Sequence, residues 1–477
     1  MLNFCKILKT SQRKKTAIFF VLSFLTAFSK NSYANFSLIR DAETEKFLRE
    51  LSNPIFKAAN LDVKNIKIYI VNDDSINAFV SGGQNVFINT GLIRKYNTPD
   101  ALIGVIAHET GHIAAGHIAR SSEAMDNAGN FMLLSYLLGI GAAVAGSVDA
   151  GQALILGGNN TAERLYMKFT RGQEEAADKH AIEYLDKISY PADGLINLLE
   201  FFETQMIGYK DQIDEYLMSH PVSKKRIDLI KANTKDKKFS DKKINQKLQP
   251  HMDLILAKLE GFMESPDSTL IKYKNKNDFL SNYKKSIALF RKGHLEDGLI
   301  LLNKLIEEKL EKKANSTEIG FLYEIKGQFL FELGKVFDSV VAYKKSIELL
   351  KNEDSAQAKI SFASSVLSLS QNDSDLIKIA IKNLQDAKKY EEENYFLYKQ
   401  LANAYNKIND EGRSLLALAE YNFYRGEKDK SVKYAQEAKD KLPKDAKEEI
   451  TRAEDLIALN KKKDDKKESK KNNFTLF

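Results

Sequence analysis

The chain has 477 residues, too many for one ordinary core, so two or three domains are expected. Its 43% apolar and 29% charged residues exclude a chain that is disordered or membrane-embedded throughout. The formal net charge of +7 falls to +1 once the six basic residues of positions 1–34 are set aside. A nearly neutral body with no basic patch motif argues against nucleic acid as the main partner.

Residues 1–34 read as a signal peptide. Lys6, Lys9, Arg13, Lys14 and Lys15 form a basic start, Ala17 to Phe28 an apolar run short for a membrane span, and Ser32-Tyr33-Ala34 a small-residue cleavage site. Export is therefore expected. The one cysteine, Cys5, lies in this segment, so the exported body has neither disulfide nor thiolate, and a metal site there must use His and carboxylates.

Residues 35–233 mix helix and strand signals. Residues 41–59 read as an amphipathic helix, Ile66 to Val71 as a strand, and Val86-Phe87-Ile88 as a second strand after the turn at Ser81-Gly82-Gly83. The stretch Phe79 to Ile88 is the candidate edge for pairing with an extended substrate. From Asp100 the helical period dominates. Residues 131–158 are apolar but broken by Gly139, Gly141 and Gly146, which suits a lid or interfacial helix that touches a membrane peripherally.

Residues 234–275 are a charged linker followed by a short connecting helix, His251 to Met263. Residues 276–460 are helix after helix. Gly293, Gly334 and Gly426 each end an apolar helix and open a short turn, in FRKGHLEDGLILL, FELGKVFDSVVAY and FYRGEKDKSVKYA. This resembles tetratricopeptide repeats, which stack antiparallel helix pairs and present a concave surface to protein partners. Ala419, Ser431, Ala435 and Ala438 fit one repeat phase, whereas Ala402 and Tyr405 fit another. The basic run 461–477 is expected to be a disordered, solvated end.

The chemistry is written in Thr98 to Arg120. Thr98 can cap a helix, Pro99 suits its first position, and Asp100 complements the dipole. On that helix His108 and His112 leave one face a turn apart and can reach one Zn²⁺, with Glu109 beside the metal as general base. His108-Glu109-Thr110-Gly111-His112 is the HExxH pattern. The elongated form of that motif needs a third histidine at position 118, which is Ile118, so His117 reads as a helix-end or supporting residue. The third ligand is expected in Arg171 to Asp178. A helix there places Glu174 and Asp178 on one face, Glu174 to bind metal and Asp178 to fix a ligand histidine, with Glu175 as the rival ligand and Ala176 and Ala177 allowing close approach.

HETGH followed by Glu-x-x-x-Asp resembles peptidase family M48. Arg40-Asp41-Ala42-Glu43, Asn77-Ala78-Phe79 and Ser219-His220-Pro221 resemble its periplasmic branch with carboxy-terminal tetratricopeptide repeats. The resemblance implies an α+β, mainly α, zincin-type metallopeptidase domain followed by an all-α repeat domain. It further implies one Zn²⁺ per chain held by His108, His112 and Glu174, with His220 as a fourth, regulatory ligand, and Asn77, Ala78 and Phe79 at the substrate strand. The partners implied are unfolded or misassembled exported proteins, and outer-membrane assembly machinery reached through the repeats.

Overall fold

A computed structural model describes residues 37–117, 120, 170–208, 220–236, 245–370 and 373–472. The signal segment 1–34 and the apolar stretch 131–158 lie outside the described residues. Strand β1 is Leu38–Ile39, and Asp41 then caps helix α1, Ala42–Ala58, by accepting the Thr44 amide at 3.0 Å. Phe47, Leu48, Leu51 and Ile55 recur at helical spacing and fill the core of the amino-terminal domain.

Strands β2 (Ile68–Val71), β3 (Ala78–Ser81) and β4 (Asn85–Asn89) join β1 in a sheet of order β1-β2-β4-β3. The β2–β4 pair is parallel and the other two are antiparallel. Gly82 and Gly83 have positive φ and turn β3 back into β4, so Phe79 to Ile88 is a hairpin with β3 at the edge, rather than one strand. Alternation puts Ile68, Ile70, Val86, Ile88 and Ala78 in the core. On the other face Phe87 stacks between Tyr69 and Phe79, with centroids 5.1 and 5.0 Å away. The sheet supports α2 (Thr90–Lys95), α3 (Pro99–Ala114), a helix α4 described over 170–187, α5 (Asp193–Gly208) and α6 (Lys224–Thr234).

Helix α7, Asn245–Met263, begins six residues before the expected start at His251 and carries Pro250 inside it. Its packing explains this. Met252, Ile255 and Leu259 enter the amino-terminal core, whereas Ala257 enters the next core beside Tyr283 and Ile287. Tertiary burial on both sides outweighs the one hydrogen bond that Pro250 removes.

After α8 (Pro266–Lys272) come antiparallel pairs: α9 (Phe279–Arg291) with α10 (Leu295–Glu311), α11 (Ser316–Glu332) with α12 (Val336–Leu349), and α13 (Ala356–Leu369) with α14 (Ser374–Lys388). Then follow α15 (Tyr395–Lys407), α16 (Glu411–Tyr424), α17 (Lys428–Lys441) and α18 (Lys447–Asn472). Gly293, Gly334 and Gly426 sit at the turns with φ of +94°, +73° and +76°, where a side chain would be strained. Helix α16 packs against both α15 and α17, so it closes one pair and opens the next. Both phases seen in the sequence therefore exist. Helix α18 continues through positions 461–472, where a disordered end is expected, because that run contains neither Gly nor Pro and its Lys, Glu and Asp tolerate helix. No helix among the described residues is long and apolar enough to cross a membrane.

The two domains meet through charges. Arg40 binds Glu391 at 2.6 Å, Lys46 binds Asp354 at 3.1 Å, and Glu393 takes Lys67 and the Tyr69 hydroxyl. Buried Lys258 of α7 pairs with Asp41 and, at 3.2 Å, with Glu43. Beside them lies a cavity of about 840 Å³ lined by Arg40, Asp41, Lys258, Glu324 and Tyr343 among others. Burial raises Glu324 to about 8, against the pull of Lys258 and with the help of Asp41 and Glu43. A carboxyl raised from 4.5 supports the fold fully below pH 4.5 and loses that support as pH climbs to about 8. Glu324→Gln should remove this slope. Thermal unfolding at pH 8.5 should find the variant more stable by about 1–2 kcal/mol, discounted for the water that reaches the cavity; parallel parent and variant curves from pH 5 to pH 8.5 would contradict it.

Candidate metal centre

Helix α3 is built to be buried. The Thr98 hydroxyl accepts the Ala101 amide at 3.4 Å, Pro99 occupies the first turn, and all residues from Ala101 to Ile113 are buried. His108, Glu109 and His112 are thus carried inside the domain on a rigid element. Helix α4 brings Glu174 and Asp178, also one turn apart, against them. Gly111 permits the approach, since a Cβ there would lie 2.6 Å from the Ala177 carbonyl oxygen and 2.9 Å from its Cα. The third element is the turn before α6. Ser223 caps α6, and the preceding His220 points back into the domain, 5% exposed.

Four donors converge. His108 Nε2 lies 3.1 Å from His112 Nε2, 3.3 Å from His220 Nδ1 and 3.2 Å from Glu174 Oε2. Glu174 Oε1 is 3.3 Å from His112 Nε2, and Glu174 Oε2 is 3.2 Å from His220 Nδ1. A tetrahedral zinc with bonds of about 2.0–2.1 Å has donor–donor edges of about 3.3–3.4 Å, close to these five separations, and all four donors lie within 4.8 Å of one another. Glu109 stands beside the cluster, its Oε1 3.4 Å from His220 Nε2.

The charges fit as well. Glu109, Glu174 and Asp178 are all at least 96% buried, and among the described residues the guanidinium placed against them is that of Arg226. Carboxylates in excess of that guanidinium favour a bound cation. Burial opposes ionisation of Glu174, but His220 and hydrogen bonds from His108 and His112 hold its carboxyl well below the usual range. Burial likewise opposes Asp178, which His108 and Arg226 hold low. Burial pushes Glu109 up, with His220 and His108 pulling the other way, as a proton acceptor near neutrality requires. Burial lowers His112 to about 3, so its imidazole stays neutral and free to ligate.

The structure separates the candidates. His108 Nδ1 faces Asp178 Oδ1 at 2.9 Å. Glu175 points outward to Lys225 at 2.7 Å and is absent from the cluster, because one residue along a helix turns the side chain by about 100°. Asn77, Ala78 and Phe79 lie at the start of edge strand β3, which runs beside α3, and none joins the four donors.

One residue goes beyond the sequence-based roles, and His117 takes the supporting place expected of it. Arg226 donates to both oxygens of Asp178 at 2.8 and 2.9 Å, reaches Glu174 at 3.0 Å and donates to the Pro221 carbonyl at 2.9 Å. It ties the two acidic positions of α4 to the turn that carries His220. Its one sequence signal is its place in the first turn of a Ser-capped helix just after Ser219-His220-Pro221. His117 lies behind His112, with Nδ1 to Nδ1 at 3.0 Å. Gly111→Ala should drive α3 and α4 apart at Ala177 and cost about 1–3 kcal/mol. Urea unfolding together with zinc titration should report both lower stability and weaker metal uptake, whereas unchanged zinc affinity would show that the helix spacing does not set the site.

Residues 40–234 match the model of Peptidase family M48. The beta-barrel assembly-enhancing protease of Yersinia pestis is 29% identical over 194 residues, 41% of this chain and 40% of that protein. Its counterpart in Escherichia coli (strain K12) is 27% identical over 190 residues, 40% of this chain and 39% of that protein. The metalloprotease LoiP of the same strain is 24% identical over 191 residues, 40% of this chain and 71% of that protein. The match thus spans about two fifths of the length of the beta-barrel assembly-enhancing proteases. Residues 40–234, with the four-donor cluster inside them, are similar to metallopeptidases of family M48.

Proposed function

We propose that the chain is a zinc endopeptidase that cleaves misfolded or misassembled exported proteins and is kept latent by His220. The observation that carries this reading is the meeting of His108, His112, Glu174 and His220, with Glu109 alongside. Zinc held by His108, His112 and Glu174 supplies Lewis acidity toward the scissile carbonyl. Glu109 takes the proton of the attacking water and delivers it to the leaving amine. Asp178 fixes the His108 tautomer, and Arg226 pairs with both Asp178 and Glu174 and helps keep Asp178 ionised. An extended substrate adds to β3 near Asn77, Ala78 and Phe79, where the sheet edge runs along the metal-bearing helix.

His220 is placed to block all of this. Its Nδ1 fills the fourth corner of the donor set, and its Nε2 lies against the general base. Activity then requires His220 to leave. Export to the periplasm rests on the signal-like residues 1–34 and on the likeness to beta-barrel assembly-enhancing proteases, whose name also suggests an outer-membrane client and assembly machinery met through the repeats. The closed donor set favours a second reading, an assembly factor that works through its repeats while the peptidase site acts rarely.

Two variants test the proposal. Glu109→Gln should bind about one zinc and lose about 10²–10⁴-fold in turnover of an unfolded protein, measured by peptide release alongside metal analysis; undiminished cleavage would remove Glu109 from the role of base. His220→Ala should raise basal cleavage. Reduced turnover at unchanged zinc content would instead make His220 a transition-state stabiliser and refute latency.

A further inference from the structure

Helix α3 stops at Ala114, and Gly116, at φ +65°, turns the chain so that His117 folds back under His112. His117 is 4% exposed, and its ring meets the His112 ring edge-on with centroids 4.9 Å apart. Its carbonyl accepts the Gln173 side-chain amide at 3.2 Å. Gln173 precedes Glu174, so one turn of α4 presents a metal donor and holds the residue behind another.

The tautomers follow from the geometry. His112 Nε2 faces His108 Nε2 and Glu174 Oε1, so its lone pair must be at Nε2 to ligate, and its proton at Nδ1. That proton points at His117 Nδ1, 3.0 Å away. His117 therefore accepts there and carries its own proton on Nε2. His108 is supported differently, because its Nδ1 faces the Asp178 carboxylate. A neutral imidazole is a weaker acceptor than a carboxylate, so it orients His112 while donating less electron density to the metal.

We infer that His117 is a positioning residue for the metal centre, fixing the tautomer and ring angle of His112 through an imidazole–imidazole hydrogen bond that Gln173 holds in place. The inference rests on the zinc reading of the site. It explains why two histidines on one helix have unequal support. The carboxylate-backed His108 is the stronger donor, and the His117-backed His112 the more easily released one.

The test uses the full zinc-loaded chain and three proteins: parent, His117→Ala and His117→Asn. The asparagine places an acceptor oxygen near the position of Nδ1. Zinc affinity is read by competition with a chromophoric chelator, and the ligand field by visible absorption after exchange with Co²⁺. His117→Ala should release zinc about 10–100-fold more readily and shift the Co²⁺ bands, and His117→Asn should recover most of both. A parent that holds no zinc overturns the metal reading and this inference together. A zinc-binding parent with an alanine variant within threefold of it overturns the inference alone. Equal loss of affinity in both variants, with melting temperatures that fall together, also overturns it, since that marks packing rather than hydrogen bonding.

Discussion

Three carboxylates buried beside a single guanidinium are the constraint around which the amino-terminal domain is arranged. Desolvated charge of that kind is tolerable only when it is balanced, which Arg226 does in part, through Asp178 and Glu174, and a bound cation would complete. The demand reaches far along the chain. Helix α3 must be apolar on nearly every face so that its ionisable stripe can be central. Helix α4 must come to backbone contact, and α6 must return from beyond residue 220 to deliver the guanidinium. The sheet supplies a stiff floor for this, with Ile88 and Ala78 in the same core as Val105 and Ile106.

What the sequence discloses about the site is what lies close together along the chain. Thr98, Pro99 and the HExxH spacing are local, and so is the one-turn interval between Glu174 and Asp178. A capped helix presents them wherever it packs. The sequence favours Glu174 over Glu175 by its spacing to Asp178, and the rotation of α4 against α3 that bears on the choice depends on the contact between Gly111 and Ala177. Arg226 stayed hidden for a tertiary reason. An arginine in the first turn of a helix is ordinarily solvated, and only the return of the chain after Ser219-His220-Pro221 buries this one.

The repeats divide in the same way. Gly293, Gly334 and Gly426 announce turns because each needs a left-handed backbone, and each has one. The turn before α16 uses Asn409 at φ +58°, which carries no such distinct signal, and this explains the apparent clash of phases around α16. The start of α7 was obscured by Pro250, since a proline argues locally against helix whereas the packing argues for it. The helix through 461–472 shows that a charged composition speaks to solvation more clearly than to backbone conformation.

Helix α7 belongs to two cores at once, giving Met252, Ile255 and Leu259 to one and Ala257 to the other, with Lys258 sealed between them. Dividing the described residues at α7 therefore exposes apolar surface. The two domains share this joint: loosening either strips one face of α7 and withdraws support from the other. Strain imposed on the repeats by a bound protein would thus be felt in the same core that positions α3.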